Sequence, residues 1–378
     1  MRTLFLLLGV ALVLTFSSAT AFARKPLPHS LPLEAMIGQM LMVGFTGDGT
    51  APKNQNLQNI LEDIRAGRIG GVILFDLDWQ TKKRGRNIVS TSQVKALTTL
   101  LQKNAPVPLF IAVDQEGGRV QRLREGHGFS ETPSAESLGK GTPKATYQTA
   151  QKLGKGLRDL GITVNFAPVA DIATTADSPA IGRLERAFGA DPTTVAEHAA
   201  AFAKGLAENG VASCYKHFPG HGSARADSHH TLTDITKTWS EAELLPYTPK
   251  HLPQGIPLMV MTGHLVHAAL DPEHPATLSE AVTTGLLREK LGWQGVIVTD
   301  DLEMNAVHAF YSMEKRIALA VNAGADIILF GNNLQYHPEQ GRRIHAILTQ
   351  LVADGIISQE RIVASWQRIR HLKEQLLP

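Results

Sequence analysis

The sequence predicts an α/β protein built as a (β/α)8 TIM-type barrel, in a single domain with extra loops and C-terminal helices. Beyond residue 30, short apolar runs alternate with longer amphipathic segments, and the alternation occurs eight times. Most of the short runs are apolar almost throughout, as parallel strands buried on both faces are. A barrel of this type takes about 250 residues. The chain has 378 residues, so the remainder is expected to form long loops and terminal helices.

The eight predicted strands follow one another along the chain. They cover residues 40–45, 71–75, 108–113, 163–167, 212–217, 257–263, 295–299 and 326–330. A doubly wound open sheet is the competing architecture. Such a sheet usually carries a glycine-rich phosphate-binding turn after its first strand, and residues 45–50 lack the full spacing of that turn.

The amphipathic segments predict helices between these strands and at the C-terminus. They cover residues 93–102, 146–160, 193–209, 281–291, 313–322, 338–354 and 359–376. Gly161, Gly210, Gly292 and Gly324 come just after helical runs, where helix C-caps usually lie. These glycines therefore support the proposed helix ends.

Composition excludes several classes of function. Lys and Arg number 37 against 35 Asp and Glu, a net charge of +2, which is far from the basic surplus of a nucleic-acid-binding protein. We therefore expect no nucleic-acid partner. The single cysteine, Cys214, cannot form an internal disulfide, and it rules out a zinc site with four cysteines.

The first residues have the pattern of a secretory signal peptide. Arg2 precedes the apolar run 4–16, and Ala21-Phe22-Ala23 supplies the small residues of a cleavage site. We expect cleavage before Arg24, which gives a signal peptide (1–23) and a mature barrel domain (24–378). A retained membrane anchor is the alternative, but the run is shorter than the roughly 20 residues that span a bilayer. The mature protein is expected to be exported, to the periplasm or the medium, without a membrane span.

Polar residues follow most of the predicted strands, at the end of a barrel where functional residues lie. They include Asp114, Glu116, Asp171, Lys216, His217, His264, Asp300 and Asp301. Carboxylates and basic groups around one barrel mouth suit sugar chemistry or a metal hydrolase. His217 and His221 have the spacing of a zinc-binding helix, but Pro219 and Gly220 between them argue against a helix. We therefore expect no metal and no cofactor.

Three segments resemble the hallmark segments of family 3 glycoside hydrolases, in the β-N-acetylglucosaminidase branch. They are residues 114–123 (DQEGGRVQRL), 216–222 (KHFPGHG) followed by Asp227-Ser228-His229, and 298–304 (VTDDLEM). Residues 37–45, 165–172, 275–279 and 323–329 support the resemblance in the same order along the chain. The resemblance covers nearly the whole mature chain and implies a retaining glycosidase with a barrel fold.

The resemblance implies the catalytic groups. Asp300 matches the nucleophile that forms a covalent glycosyl-enzyme. Asp301 is the rival, but successive residues leaving a strand point to opposite sides, so we expect Asp301 to support the loop or the neighbouring backbone. Asp227 and His229 match an Asp-x-His dyad in which His229 is the acid and base and Asp227 orients its ring. His230 is the alternative for that role.

The resemblance also places ligands around the terminal N-acetylglucosamine. These are Asp114, Arg122, Arg186, Lys216 and His217. A buried Lys216 needs a partner, which Asp300 or a sugar oxygen could supply. His264 is either a residue that supports the site or a purely structural one.

The sequence departs from the family pattern in three places. Residues 181–188 carry a two-residue insertion, so that Arg183 can be mistaken for the ligand assigned to Arg186. Leu232-Thr233 replaces a proline at the end of the dyad loop, and a polar insert, residues 76–85, separates Phe75 from Arg86. These changes leave the core chemistry unaltered, and the preference for the leaving group is the property that the resemblance determines least.

The function expected from these features is an exo-acting β-N-acetylglucosaminidase. Its substrates would be peptidoglycan fragments or chitin-type oligosaccharides that contain N-acetylglucosamine, and the protein would be a monomer. A β-glucosidase and a phosphorylase of the same family are the rival enzymes. A sugar-binding protein without catalysis is the rival from another class, and the presence of Asp300, Asp227 and His229 argues against it.

Overall fold

The computed structural model describes residues 27–51, 53–175, 177–226 and 232–377. Eight parallel strands form one sheet. They are β1 (Leu41–Gly44), β2 (Gly71–Leu74), β3 (Phe110–Val113), β4 (Val164–Asn165), β5 (Ala212–Phe218), β6 (Leu258–Thr262), β7 (Val296–Thr299) and β8 (Ile328–Phe330). Their order is β8-β1-β2-β3-β4-β5-β6-β7. Val298 of β7 pairs with Ile327, just before β8, so the sheet returns on itself and the predicted barrel is confirmed.

Each predicted strand overlaps one observed strand, with β5 running one residue past its predicted end, and the observed strands are buried along their whole length. Residues in the middle of the ring are paired on both sides: Met42 of β1 lies opposite Gly71 of β2 and Leu329 of β8. One strand face points into the barrel and the other packs against helices. This arrangement explains why the strands read as continuous apolar runs rather than as alternating ones.

Helices surround the barrel. They are α1 (Leu33–Gln39), α2 (Gln55–Arg65), α3 (Thr91–Lys103), α4 (Ala135–Gly139), α5 (Pro143–Asp159), α6 (Pro192–Ala207), α7 (Asn305–His308), α8 (Met313–Ala323), α9 (Gln340–Ala353) and α10 (Gln359–Leu376), with a π-helix at Ala281–Lys290. Side chains accept a backbone N–H at several N-termini, as Asn54 does before α2 and Asp191 before α6. The predicted helices are all present within a few residues.

The structure adds two strands that periodicity could not predict. Thr233–Asp234 and Leu265–Val266 pair in parallel outside the barrel. In the sequence the first follows β5 and the second follows β6. Two residues are too few to show a period of two, so their pairing depends on the loops that bring them together. The first strand of this small sheet, Thr233–Asp234, comes shortly after residues 227–231 in the sequence.

The C-terminal helix closes the end of the barrel where the strands begin. Lys373 of α10 donates to the side chain of Gln39 and to the carbonyls of Gly70 and Pro108, at 2.7, 3.1 and 2.6 Å. Gly70 and Pro108 come before β2 and β3. Burial lowers the pKa of Lys373 to about 7. With this end covered, the opposite end, where the strands finish, is the open mouth.

The predicted signal peptide, including the cleavage site before Arg24, lies outside the described residues. Among the helices that the structure does describe, none combines the length and the apolar character needed to cross a membrane.

Candidate active site

A cavity of about 570 Å3 lies at the mouth of the barrel, where the strands end. This volume is within the usual range for sites that bind small molecules. All five predicted sugar ligands line it, as do both candidates for the nucleophile: Asp114, Arg122, Arg186, Lys216, His217, Asp300 and Asp301. Residues from the ends of β3, β5 and β7 and from the loops after β3 and β4 therefore meet in one place.

Asp114, Lys216 and Glu116 form a buried charged cluster on one wall of the cavity. The ammonium of Lys216 lies 2.9 Å from Asp114 Oδ1 and 2.6 Å from Glu116 Oε1. Arg122 Nη2 lies 3.3 Å from Asp114 Oδ2. Burial by itself raises the pKa of Asp114, but Lys216 and Arg122 outweigh it and hold the pKa below its ordinary value. The partners of Lys216 within the protein are thus these two carboxylates, and Asp114 is ionised at neutral pH.

Arg186 extends this cluster. Its guanidinium forms a bidentate pair with the Glu116 carboxylate, with both N–O distances at 2.8 Å, and Nη1 donates to the carbonyl of Ala180. Burial opposes the charge on Glu116, but Arg186 and Lys216 hold the pKa of Glu116 far below its usual range. Arg183, the residue that could be mistaken for Arg186, is exposed and does not line this cavity. Burial therefore separates the two arginines, which sequence spacing left ambiguous.

His217 is held by Asp171, from the loop after β4. His217 Nδ1 lies 2.7 Å from Asp171 Oδ2, while Asp171 Oδ1 accepts the backbone N–H groups of His217 and His221 at 3.0 and 2.8 Å. If Nδ1–H donates to Asp171, Nε2 is left as an acceptor, and Arg186 Nη2 lies 3.4 Å from it. Burial, reinforced by His217, lowers the pKa of the His221 imidazole to about 4.

The two adjacent carboxylates after β7 have different surroundings. Asp300 begins the loop: its N–H donates to the carbonyl of Thr262 at 3.0 Å, and its Oδ1 accepts the N–H of Asp301 at 2.7 Å. Asp301 Oδ1 accepts the backbone N–H groups of Glu303 and Gly331, both at 3.0 Å. The Asp301 carboxylate therefore ties its own loop to the loop after β8. Both carboxylates nevertheless line the cavity, so the expected opposite directions of the two side chains do not separate them.

His264 lies behind this loop and does not line the cavity. Its Nε2 is 2.9 Å from the carbonyl oxygen of Asp301, and its Nδ1 is 3.0 Å from the hydroxyl of Thr277. The side chain is fully buried. His264 therefore contacts the backbone that carries Asp300 and Asp301, which makes it a candidate positioning residue.

Glu303 was not singled out from the sequence, yet it lines the cavity. Its carboxylate accepts the backbone N–H of Asn332 at 2.6 Å and the side-chain amide of Gln340 at 2.8 Å. Burial, together with the negative charge of Asp301, raises the pKa of Glu303 to about 8. The hydrogen bonds from Asn332 and Gln340 oppose this shift, so burial is its main cause, and burial cannot be recognised from the local sequence.

Glu243 is a second buried acid that the sequence did not reveal. It lies in a helical turn, Glu241–Tyr247, and its carboxyl packs against Gly220, where φ is +130°. A side chain at residue 220 would collide with this carboxyl and would be strained. Burial raises the pKa of Glu243 to about 7. Gly220 thus lets the chain that leads to residues 227–231 pass close to Glu243.

The predicted dyad, Asp227 and His229, and the alternative His230 lie outside the described residues. The roles assigned to them remain predictions. Within the described ranges, no group of three or more His, Cys, Asp or Glu side chains is arranged to hold a metal ion.

Removing the charge of Glu116 is expected to destabilise the fold strongly. Glu116→Gln leaves Arg186 and Lys216 buried with fewer negative partners, and breaking a buried ion pair in this way costs about 3–5 kcal/mol. The pKa of Glu116 is depressed in the folded protein, so its contribution is full above the ordinary glutamate pKa and is lost as pH falls toward the folded value. Denaturant unfolding at pH 7 and at progressively lower pH measures both effects.

Glu136→Gln is the matched control, because Glu136 pairs with Lys140 at 2.7 Å on the exposed surface of α4. We expect that change to alter stability little. Equal losses of stability in the two variants would show that the cluster around Glu116 does not stabilise the fold in the way its burial indicates.

The chain is similar to known proteins in sequence and in structure. The family model "Glycosyl hydrolase family 3 N terminal domain" matches residues 32–372. Beta-hexosaminidase A of Pseudoalteromonas piscicida is 35% identical over 402 aligned positions, which cover 96% of this chain and 64% of that protein.

Solved structures that are similar to this chain include the following two. One is a glycoside hydrolase family 3 beta-N-acetylglucosaminidase from a Paenibacillus species, with a TM-score of 0.82, 36% identity, and coverage of 92% of this chain and 63% of that one. The other is a beta-N-acetylhexosaminidase from Beutenbergia cavernae, with a TM-score of 0.78, 32% identity, and coverage of 92% and 100%. This chain therefore spans less than two thirds of the Pseudoalteromonas and Paenibacillus proteins and matches the whole Beutenbergia chain.

Proposed function

Because this chain belongs to glycoside hydrolase family 3, we propose that it is an exo-acting, retaining β-N-acetylhexosaminidase. One observation carries the proposal: Asp300 lines a cavity that is also lined by a buried cluster of charged groups suited to binding hydroxyls. The names of the similar proteins, all of them hexosaminidases or acetylglucosaminidases, support the same reaction. The reaction releases a terminal β-linked N-acetylhexosamine.

In the proposed mechanism the reaction proceeds in two steps. The Asp300 carboxylate attacks the anomeric carbon while His229 gives a proton to the departing oxygen, so the glycosidic bond breaks as an ester bond to Asp300 forms. Water then attacks the same carbon as His229 takes one of its protons. This second displacement frees Asp300 and releases the sugar with its original anomeric configuration. Asp227 orients the imidazole throughout.

The charged cluster holds the terminal sugar in the same proposal. Asp114 is ionised and accepts hydrogen bonds from sugar hydroxyls. Asp114 and Glu116 accept two of the three N–H groups of Lys216, and the third can donate to a sugar oxygen. Arg122, Arg186 and His217 complete the ligands. Glu116 and Asp171 are positioning residues, since they hold Arg186 and His217 in place.

The choice among family reactions is tested by an activity comparison. We expect hydrolysis of aryl β-N-acetylglucosaminide to exceed hydrolysis of aryl β-glucoside at least about 100-fold in kcat/KM, because a site built for the acetamido group loses its contacts with glucose. Inorganic phosphate should not increase the rate or appear in the product. Preference for the glucoside would favour a β-glucosidase, and formation of a sugar phosphate would favour a phosphorylase.

The proposal extends to location and substrate. The segment ending in Ala21-Phe22-Ala23 supports export, with a mature protein that begins at Arg24 and forms one barrel domain, as a monomer in the periplasm or the medium. There it would act on peptidoglycan fragments or chitin-type oligosaccharides. Mass spectrometry of the mature protein is the check, and a product that retains Met1 would contradict export by cleavage.

A further inference from the structure

The insert at residues 76–85 forms a firmly anchored turn at the rim of the cavity. Asp76 is buried. It pairs with Arg84 of the same turn and, at 3.0 Å, with Arg124 from the loop after β3. Leu77 pairs with Arg84 in an antiparallel bridge, and Asp78 accepts the backbone N–H of Thr81 at 2.8 Å. The turn is therefore closed on itself and fixed to its neighbour.

The other side of the turn is fixed to the loop after β8. The N–H of Trp79 donates to Asn333 Oδ1 at 2.9 Å, and Asn333 Nδ2 donates to the carbonyl of Leu77 at 3.1 Å. Arg86 Nη1 lies 2.7 Å from Asp78 Oδ2. Contacts on two sides of the barrel mouth thus hold the backbone of Trp79 in one position.

Trp79 is partly exposed to solvent at the cavity, and the exposure of an apolar ring to water is unfavourable. Its side chain is 45% exposed, and among the large apolar side chains exposed in the described residues it alone lines the cavity that contains Asp300. The ammonium of Lys82 lies 3.3 Å from the ring centroid and does not line that cavity. Lys82 therefore covers one side of the indole, and Trp79 is the member of this pair that lines the cavity.

We propose that Trp79 forms a second sugar subsite, which binds the pyranose ring next to the cleaved bond in an oligosaccharide of β-linked N-acetylhexosamine. The inference rests on the proposed function. The charged cluster around Asp114 and Lys216 holds the terminal sugar at the buried wall, so the rest of the chain leaves across the exposed rim. A β-linked pyranose with equatorial substituents presents an apolar face of C–H groups, and an indole offers a large rigid surface for that face.

The anchoring of the turn strengthens the case for a ligand. Binding loses free energy when a side chain or loop must be ordered, and the hydrogen bonds to Asn333 and Arg86 order this turn in advance. The inserted residues Asp76 and Asp78 pair with arginines within the protein, whereas Trp79 lines the cavity beside Leu77 and offers the larger apolar surface to a ligand. The insert therefore favours a substrate at least two sugar rings long.

The test compares a substrate that reaches Trp79 with one that cannot. The N-acetylglucosamine trimer spans the rim, whereas N-acetylglucosaminyl fluoride has a leaving group of a single atom. We expect Trp79→Ala to lower kcat/KM for the trimer about tenfold or more, equivalent to about 1.4 kcal/mol, and to change kcat/KM for the fluoride less than about twofold. Trp79→Phe should restore most of the loss, and Phe310→Ala, at another exposed aromatic residue, should affect neither substrate.

Failure of the subsite and failure of the proposed function give different results. If the wild-type protein hydrolyses both substrates and Trp79→Ala lowers both equally, or neither, the subsite is wrong and the function stands. If the wild-type protein hydrolyses neither, the proposed function fails, and calorimetric binding of the trimer decides the subsite. Weaker binding to Trp79→Ala than to wild type would support it, and equal binding would overturn it.

Discussion

Asp300→Ala is expected to reduce turnover of every substrate by more than about 10⁴-fold while leaving the fold intact, since the reaction loses its nucleophile. Asp300 lines the cavity, its backbone N–H contact with Thr262 does not involve the side chain, and its Oδ1 accepts the N–H of the next residue, Asp301. A fluorinated substrate that slows the second step should trap the ester on Asp300 in the wild-type protein. Peptide mass spectrometry identifies the labelled residue.

Asp301→Asn is the informative control for the neighbouring carboxylate. Asp301 Oδ1 accepts the N–H groups of Glu303 and Gly331. Asn keeps an acceptor oxygen but loses the negative charge, so both hydrogen bonds should weaken and thermal stability should fall modestly. The trapped ester should still form on Asp300 in this variant. Label on Asp301, or on neither residue, would contradict the assignment of the nucleophile.

His229→Ala is expected to separate the two chemical steps. An aryl leaving group of low pKa departs with little help, so the first step should slow less for aryl substrates than for natural glycosides. The second step loses its base for every substrate, so the glycosyl-enzyme should accumulate and a burst of phenol should precede a slow steady rate. Azide or formate, which need no deprotonation, should then increase the steady rate. Rapid-mixing absorbance measures the burst.

Three further variants test which group acts as the acid and base. Asp227→Ala should show a milder form of the same behaviour, because the imidazole remains without its orienting partner. His230→Ala should behave as wild type. Glu303→Gln tests the buried acid in the cavity whose pKa is raised to about 8. A burst with azide rescue in His230→Ala or Glu303→Gln, and not in His229→Ala, would move the role to that residue.

Local patterns in the sequence were sufficient to predict the barrel and to indicate candidate residues at its mouth. The apolar runs around Met42, Ile111 and Ile297 are continuous because both faces of those strands are buried, and a continuous run can be recognised without knowing its partner. Polar residues such as Asp114 and Asp300 could be recognised as candidate site residues because each comes directly after such a run. The helix starts at Asn54 and Asp191 likewise depend on hydrogen bonds within three residues.

Contacts between distant segments could not be predicted in this way. The partners of Lys216 are two carboxylates about 100 positions earlier in the chain, and the choice between Arg183 and Arg186 depends on which side chain is buried against Glu116. Burial in the folded protein raises the pKa of Glu303, against the lowering effect of the N–H of Asn332. No local period encodes any of these contacts.

The sequence by itself determined the barrel and the family and supplied the candidate residues for the chemistry, because hydrophobic period and short motifs are properties of neighbouring residues. Only the tertiary structure decided which charges pair, which carboxylate of the Asp300 and Asp301 pair supports the backbone, and where the insert places Trp79. The physical reason is that pairing, desolvation and pKa depend on distance in space, and chain segments far apart in sequence set those distances only when the barrel closes.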